Sequence, residues 1–471
     1  MSPLLDRPRR SPLDDNRWIA ALLIVYCVLL ASLMSQLPYW LDELLQIVGT
    51  RGSSFGKVLA WMPANVGGAP LPYLFQAFVV KTFGYSVFTA RLPAAVFSVL
   101  SLAALVWLAR ELDLRRPAVA LVILMVLPLQ WRYALEARPN SQAMFFAVLA
   151  TVFAVRCVRE AGLTPALLYT LTLIAGVFSY STLVLLPAAH LIWAFLCLEG
   201  RNRRQAMLRM GVAGLAAATL FAPWVIWAQS QWTAAIAGNQ WHFLAHPRLA
   251  LVILRELSGG GYAQSLPLIA AVGLGVFARD LDRTAKVLLI SLASVFLAGT
   301  LIIDAYLDYF YANRQLLPIF PFLALLAAAG LQELYRRRRT LGTVLAVALL
   351  AVSAAADARW FMRPRENWQA AARALRAQSG DACVLFVPLH SMPLYGFFEP
   401  DLPSRDCTKQ GFPALQRSMI VALSPYILPA ELTATLTKLR NEGRTLLQET
   451  NAGGTRILFY GPPVAAGSSG P

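Results

Sequence analysis

Leu71–Phe83 reads LPYLFQAFVVKTF, and the placement of every later segment depends on whether this stretch crosses a membrane. It is apolar but only about thirteen residues long, short of the roughly 20 that a transmembrane helix needs. If it crosses, every downstream loop changes sides. If it lies at the interface, it is a re-entrant or juxtamembrane helix inside a long first outer loop, residues 37–87.

The surrounding chain is built of longer apolar runs broken by arginine. Spans are expected near 18–36, 88–109, 118–130, 139–158, 165–179, 182–198, 210–228, 263–278, 287–303, 315–335 and 340–357. Of the 471 residues 58% are hydrophobic and 14% charged, and mean hydropathy is +0.56. A soluble chain carries about a quarter charged residues. This is therefore a polytopic α-helical membrane protein with about eleven transmembrane helices. The net charge of +16 does not signal a nucleic-acid partner, because the basic residues sit in short breaks between spans.

Those arginines settle the Leu71–Phe83 question. With that segment at the interface, one set of breaks holds the dense clusters Arg110/Arg115/Arg116, Arg201/Arg203/Arg204 and Arg336–Arg339, together with the basic N-terminal arm. The opposite loops are longer and much poorer in Lys and Arg. That is the positive-inside pattern for a cytoplasmic N-terminus and an extracytoplasmic C-terminal part. The N-terminal arm leads into a retained first span without an A-x-A cleavage pattern.

Residues 1–357 are thus expected to form the membrane domain and 358–471 a small extracytoplasmic α/β domain. In the latter, NWQAAARALRAQ and PAELTATLTKLRNEG have helical spacing, and ACVLFVPL, SMIVAL and RILFYG read as strands. Cys383 and Cys407 form a disulfide if this part is extracytoplasmic. The tail VAAGSSGP has a disordered composition. There is no internal repeat and no Walker or Rossmann glycine motif.

Four polar features fall on the expected outer face. Asp42 and Glu43 lie in PYWLDELLQI (Pro38–Ile47), just past the first span, where ionisable groups are costly and default to function. Glu136 and Arg138 lie in WRYALEARPNSQ at a helix start. Arg314 opens a late span beneath Tyr306, Tyr309 and Tyr311. Arg91 stands two residues before Pro93 at the start of the second span. For Arg91 and Arg314 the structural alternative is snorkelling at an aromatic belt; for Glu136 and Arg138 it is a mutual salt bridge. Together the four suit one chemistry. A carboxylate takes a proton from an acceptor hydroxyl, arginine holds a phosphate, and apolar surface accommodates a lipid. His242 and His246, four apart, are weak metal-ligand candidates without a third ligand. His190, inside a span, suits an interhelical hydrogen bond.

The order of these motifs resembles the GT-C membrane glycosyltransferases of families 39 and 83, which include protein O-mannosyltransferases, lipid A aminoarabinose transferases and rhizobial lipopolysaccharide galacturonosyltransferases. The acidic pair after the first span is matched by Asp42 and Glu43. The Gly-x-Ser-x-x-x-x-Arg-Leu-Pro motif is matched by GYSVFTARLP (Gly84–Pro93), Glu-x-Arg-Pro-Tyr by EARPN (Glu136–Asn140), and Arg-x-Leu-Leu-Pro by RQLLP (Arg314–Pro318). The resemblance covers about residues 18–335. Two positions depart from it. The family's His-Pro-Pro-Leu is GAPLPY here, with Gly68 and Ala69 in place of His and the first Pro, and Asn140 replaces a tyrosine.

The resemblance implies a GT-C fold and an inverting transferase. It would move a sugar from a polyprenyl-phosphate carrier to a hydroxyl on a lipid, lipopolysaccharide, glycan or protein at the outer face of a bacterial inner membrane. Asp42 is the expected base, with Glu43 orienting it or binding the acceptor. Glu136, Arg138, Arg314, Tyr311 and Arg91 are the expected substrate-binding residues. No cofactor is required by the motifs; a divalent cation is left open, since some relatives use one. The rival class is a lipid or lipid-linked-sugar flippase, against which stand the placement of the acidic pair outside a span and the missing repeat. A third reading is a non-catalytic assembly partner, which retention of both Asp42 and Glu43 opposes.

Overall fold

The computed structural model describes residues 13–51, 54–62, 68–160, 162–230, 253, 255, 261–307, 313–363, 366–380, 382–407, 418–425, 427 and 429–463. His242, His246, Tyr309 and Tyr311 lie outside the described residues. The chain forms two compact units. One is Met1–Met34 with Gly49–Met362; the other is Ser35–Val48 with Arg363–Pro471. Ser35–Val48, which sequence order would attach to the first unit, clusters with the C-terminal residues instead.

The first unit is helical throughout its described residues. Its helices are α1 (Leu13–Leu33), the end of α2 (Leu41–Thr50), α3 (Phe55–Trp61), α4 (Pro70–Phe83), α5 (Val87–Glu111), α6 (Pro117–Val126), α7 (Pro128–Ala134), α8 (Asn140–Arg159), α9 (Leu163–Ser179), α10 (Leu186–Cys197), α11 (Gly200–Ser230), α12 (Tyr262–Val276), α13 (Arg283–Leu307), α14 (Phe320–Arg337) and α15 (Arg339–Met362).

Seven helical segments have the length and apolar composition to cross a membrane: Asn16–Leu33, Val87–Glu111, Asn140–Arg159, Gly200–Ala228, Arg283–Ile303, Arg314–Arg337 and Arg339–Met362. An eighth is the pair α6–α7, bent by 68°. Pro128 causes the bend, because proline drives the preceding residue out of the helical region; Leu127 is extended, with ψ 128°. The other three expected crossings coincide with shorter apolar helices, Leu163–Ser179, Ser181–Cys197 and Ser265–Val276. The chain is a multi-pass membrane protein with seven to eight full-length candidate spans among the described residues, fewer than the eleven read from hydropathy. Leu71–Phe83 falls in α4, a separate 14-residue helix opened by Pro70.

Several buried polar groups tie the helices of the bundle to one another. His190 on α10 meets Tyr169 Oη through Nδ1 at 2.9 Å and Thr151 Oγ through Nε2 at 3.1 Å. Thr151 already donates its hydroxyl hydrogen to the Ala147 carbonyl, so Nε2–H is the donor and Nδ1 accepts from Tyr169. This links α8, α9 and α10, the interhelical role expected of His190. At the C-terminal ends of α5 and α8, buried Glu111 takes Arg156 at 2.9 Å and Arg159 at 2.8 Å. Helices α12 and α14 approach so closely that a Cβ on Gly275 would meet the Leu326 carbonyl, and one on Gly330 the Ala271 carbonyl. Such contacts let backbones pack where no hydrophobic force separates protein from lipid.

The second unit carries a four-stranded sheet of β1 (Cys383–Val387), β2 (Met419–Leu423), β3 (Leu446–Ala452) and β4 (Thr455–Tyr460), in the order β1-β2-β4-β3. β1 and β2 are parallel, and the other pairs antiparallel. Helices α16 (Trp368–Ser379), α17 (Met392–Phe398) and α18 (Pro429–Asn441) complete it. β3 is not expected from the sequence: most of its side chains are exposed, and an edge strand need not alternate. The missed signal is Gly453–Gly454, both at positive φ, the two-residue turn that favours a hairpin. Cys383 and Cys407 are disulfide-bonded, with Cα atoms 5.0 Å apart.

Candidate active site

The acidic pair belongs to the second unit and opens α2. Leu44 N–H donates to the Trp40 carbonyl at 3.0 Å, so Trp40 is the N-cap and Asp42 and Glu43 occupy the first turn. Carboxylates there are favoured by the exposed N–H groups and the helix dipole. Glu43 is fully buried, and its Oε2 accepts the Trp40 N–H at 3.4 Å. This is the return half of a capping box, with the acid at the third helical position. Asp42, one residue earlier, is half-buried.

The same turn is tied to the C-terminal residues. Glu366 Oε2 accepts the Leu41 N–H at 3.2 Å and the Trp368 indole N–H at 3.0 Å. Trp368 is buried and packs its ring edge against Tyr395, centroids 5.3 Å apart. Glu366 was not singled out from the sequence, and no local pattern marks it, because its partner lies 325 residues away.

The other described candidates lie in the first unit. Tyr26 on α1, Ser98 on α5 and Gln130 on α7 form a buried cluster. Gln130 Nε2 donates to Ser98 Oγ at 2.7 Å, and Ser98 Oγ lies 2.8 Å from Tyr26 Oη. This cluster fixes α7, from which Glu136 and Arg138 follow. Glu136 is 2% exposed and pairs with Arg132 Nε at 3.1 Å. This partner stands four residues earlier, a spacing visible in WRYALE. The turn then closes through Arg138 N–H to the Glu136 carbonyl at 2.7 Å. Pro139 caps α8 without a side-chain bond, and Asn140 begins it.

Ser101 Oγ donates to the Ser141 carbonyl at 3.1 Å, so the start of α8 is level with the middle of α5. Arg91 lies ten residues before Ser101, about 15 Å along the helix axis at 1.5 Å per residue. It is fully buried and gives Nη1 to the Met34 carbonyl at 2.8 Å. That bond anchors the C-terminal end of α1, where a cation is favoured. Arg314 is partly buried on the 3₁₀ turn Asn313–Ile319, which packs against α8. Glu136, Arg138 and Arg314 are therefore borne on adjoining elements, with Arg91 further along. Among the described residues no group of three or more His, Cys, Asp or Glu is placed to hold a metal ion.

Residues 67–227 match the model of the dolichyl-phosphate-mannose-protein mannosyltransferase family. No curated protein sequence matches the chain. Among solved structures it shares the fold of ArnT from Cupriavidus metallidurans. To the form bound to undecaprenyl phosphate it is 11% identical, with TM-score 0.60, covering 96% of this chain and 99% of that one. To the apo form it is 10% identical, with TM-score 0.57, covering 94% and 98%. The oligosaccharyltransferase AglB from Archaeoglobus fulgidus, in complex with an inhibitory peptide and a dolichol-phosphate, is 10% identical with TM-score 0.53, covering 87% and 70%. Residues 67–227 are thus similar to that mannosyltransferase family, and the chain as a whole has the fold of ArnT.

Proposed function

We propose that the chain transfers a sugar, with inversion, from a polyprenyl-phosphate carrier to a hydroxyl acceptor at the outer face of a bacterial cytoplasmic membrane. The reading includes eleven crossings, with the second unit outside. Asp42 takes the acceptor proton as the acceptor oxygen bonds to the anomeric carbon and the bond from that carbon to the phosphate oxygen breaks. The lipid phosphate leaves with the electron pair. Arg138 and Arg314 receive its charge through charge-assisted hydrogen bonds, which strengthen as charge develops. Glu136, held by Arg132, lines the sugar side. Arg91 sits at the margin of that pocket with one nitrogen committed to Met34, and Tyr311 is assigned there from its place in the sequence, three residues before Arg314.

The observation that supports this most is the first turn of α2, where fully buried Glu43 accepts the Trp40 N–H and half-buried Asp42 stands beside it at the second helical position.

The test uses the full chain in nanodiscs with radiolabelled polyprenyl-phosphate sugars and a membrane lipid extract. Transfer from the carrier that Asp42→Asn abolishes, with donor binding intact, is expected. Transfer surviving the substitution would move the base to Glu43 or Glu136. No transfer, with labelled lipid crossing the bilayer instead, would replace the enzyme with a flippase.

A further inference from the structure

Asn140 is the one position in Glu136–Asn140 where this chain departs from the galacturonosyltransferase-type motif, and its surroundings are unusual. The residue is 1% exposed, and neither Oδ1 nor Nδ2 of its side chain meets a hydrogen-bond partner. Gln142, in the same turn and 2% exposed, leaves its Oε1 unpartnered as well. Buried amides are almost always paired, since stripping water from them without replacement is costly. The site also lacks a capping side chain: Pro139 offers none, and Asn140 stands one position too late to cap the helix it begins. Neighbouring Ser141, by contrast, is satisfied, giving its Oγ to the Tyr133 carbonyl at 3.0 Å. In the first turn of α8 the orphaned groups are thus on Asn140 and Gln142, directly after Glu136 and Arg138.

We infer that the Asn140 carboxamide is a specificity-determining contact for the donor sugar, selecting a neutral sugar through two adjacent hydroxyl groups. The inference rests on the donor pocket proposed above. A carboxamide presents one acceptor and one donor edge side by side. A carboxylate on the sugar fills only the donor edge and leaves Oδ1 facing negative charge. An ammonium fills only the acceptor edge. A hydroxyl serves either edge, and two neighbouring hydroxyls serve both at once. Sites built to hydrogen-bond a hydroxyl reject analogues that lack it far more strongly than apolar pockets do, because buried polar groups are left unpaired. Gln142 Oε1 adds one further acceptor for a hydroxyl hydrogen.

The experiment measures equilibrium binding to the full chain in nanodiscs, which needs no acceptor. The probes are polyprenyl phosphate alone and the same carrier bearing glucose, mannose, galactose, galacturonic acid or 4-amino-4-deoxyarabinose, with single-deoxy versions of the best hexose. Wild type is expected to prefer a neutral hexose, and removing one of the two hydroxyls to weaken binding about tenfold. Asn140→Leu should lower hexose-donor affinity about 10- to 100-fold, the scale of one to two lost hydrogen bonds. It should leave bare polyprenyl phosphate unchanged and abolish the deoxy effect. The deoxy series on wild type stands even where a variant fails to fold. Equal hexose binding by Asn140→Leu and wild type, with water alone filling the amide, would overturn the inference, as would preference for the charged sugars. Failure of every carrier, bare or loaded, to bind wild type would instead overturn the donor pocket itself.

Discussion

Glu366 accepts the backbone N–H of Leu41 at 3.2 Å, joining the turn that carries Asp42 to a residue 325 positions later. The same Oε2 receives the Trp368 indole N–H at 3.0 Å, so one carboxylate oxygen couples the acidic turn to the aromatic core of α16 and α17. The C-terminal residues are thus part of the support of the proposed base.

From that relationship, Glu366→Ala should lower the transfer rate about 10- to 100-fold while donor affinity stays at the wild-type value. Misplacing a catalytic group by about 1 Å costs on the order of 10²-fold. Glu366→Gln, which keeps an acceptor oxygen, should recover much of the loss. Single-turnover transfer beside donor binding reads the split; a parallel fall in both would show a general folding defect instead.

Arg138 and Arg314 should act on binding as well as rate. Replacing either with alanine is expected to weaken bare polyprenyl phosphate by about ten- to a hundredfold, the scale of a lost charged hydrogen bond of about 1.5–3 kcal/mol. Lysine should restore only part at a bidentate site. Titrating binding of bare and sugar-loaded carrier checks this; a loss seen only with loaded carrier would place the arginine on the sugar.

The Cys383–Cys407 bridge closes a loop with a sequence separation of 24. On chain-entropy grounds it contributes about 3 kcal/mol to the second unit. Cys407→Ser, or reduction of the wild type, should shift the thermal transition of that unit downward and leave the intramembrane His190 cluster unaffected. Scanning calorimetry with and without reductant measures it.

The β3–β4 hairpin should weaken in acid. The hydrogen bond from Arg456, at 2.8 Å, holds the Glu449 carboxyl below its ordinary range. A depressed folded value means that the stabilisation is complete above the unfolded carboxyl pKa, about 4.3. It is lost as pH falls through the lower folded one. Both side chains are well exposed, so the effect stays below about 1 kcal/mol. Amide exchange in β4 between pH 6 and 3 should show the change in wild type and not in Glu449→Gln.

What was legible beforehand follows how local each cause is. Apolar runs and arginine-rich breaks reveal a multi-pass helical protein because each span must satisfy its own backbone and each end its own charge. The α/β character of the C-terminal part, with β1, β2, β4 and two of its helices, is legible for the same reason: periodicity is written within each element. β3 escapes that reading because its edge position removes the burial that would impose alternation. The break at Leu127–Pro128 falls inside the expected span 118–130, and its bend comes from proline sterics.

The site divides the same way. Residue order alone supplies Asp42, Glu43, Glu136, Arg138 and Arg314 as candidates, since unusual charges near span ends stand out against apolar sequence. Only the tertiary structure decides that Ser35–Val48 clusters with Arg363–Pro471, that Glu43 is consumed as a cap, that Arg132 pairs with Glu136 and that Asn140 is buried without a partner. The physical reason is range. Hydropathy, propensity and turn chemistry act over a few neighbouring residues, whereas a hydrogen bond between Leu41 and Glu366, or the absence of one at Asn140, depends on which distant surfaces the folded chain brings together.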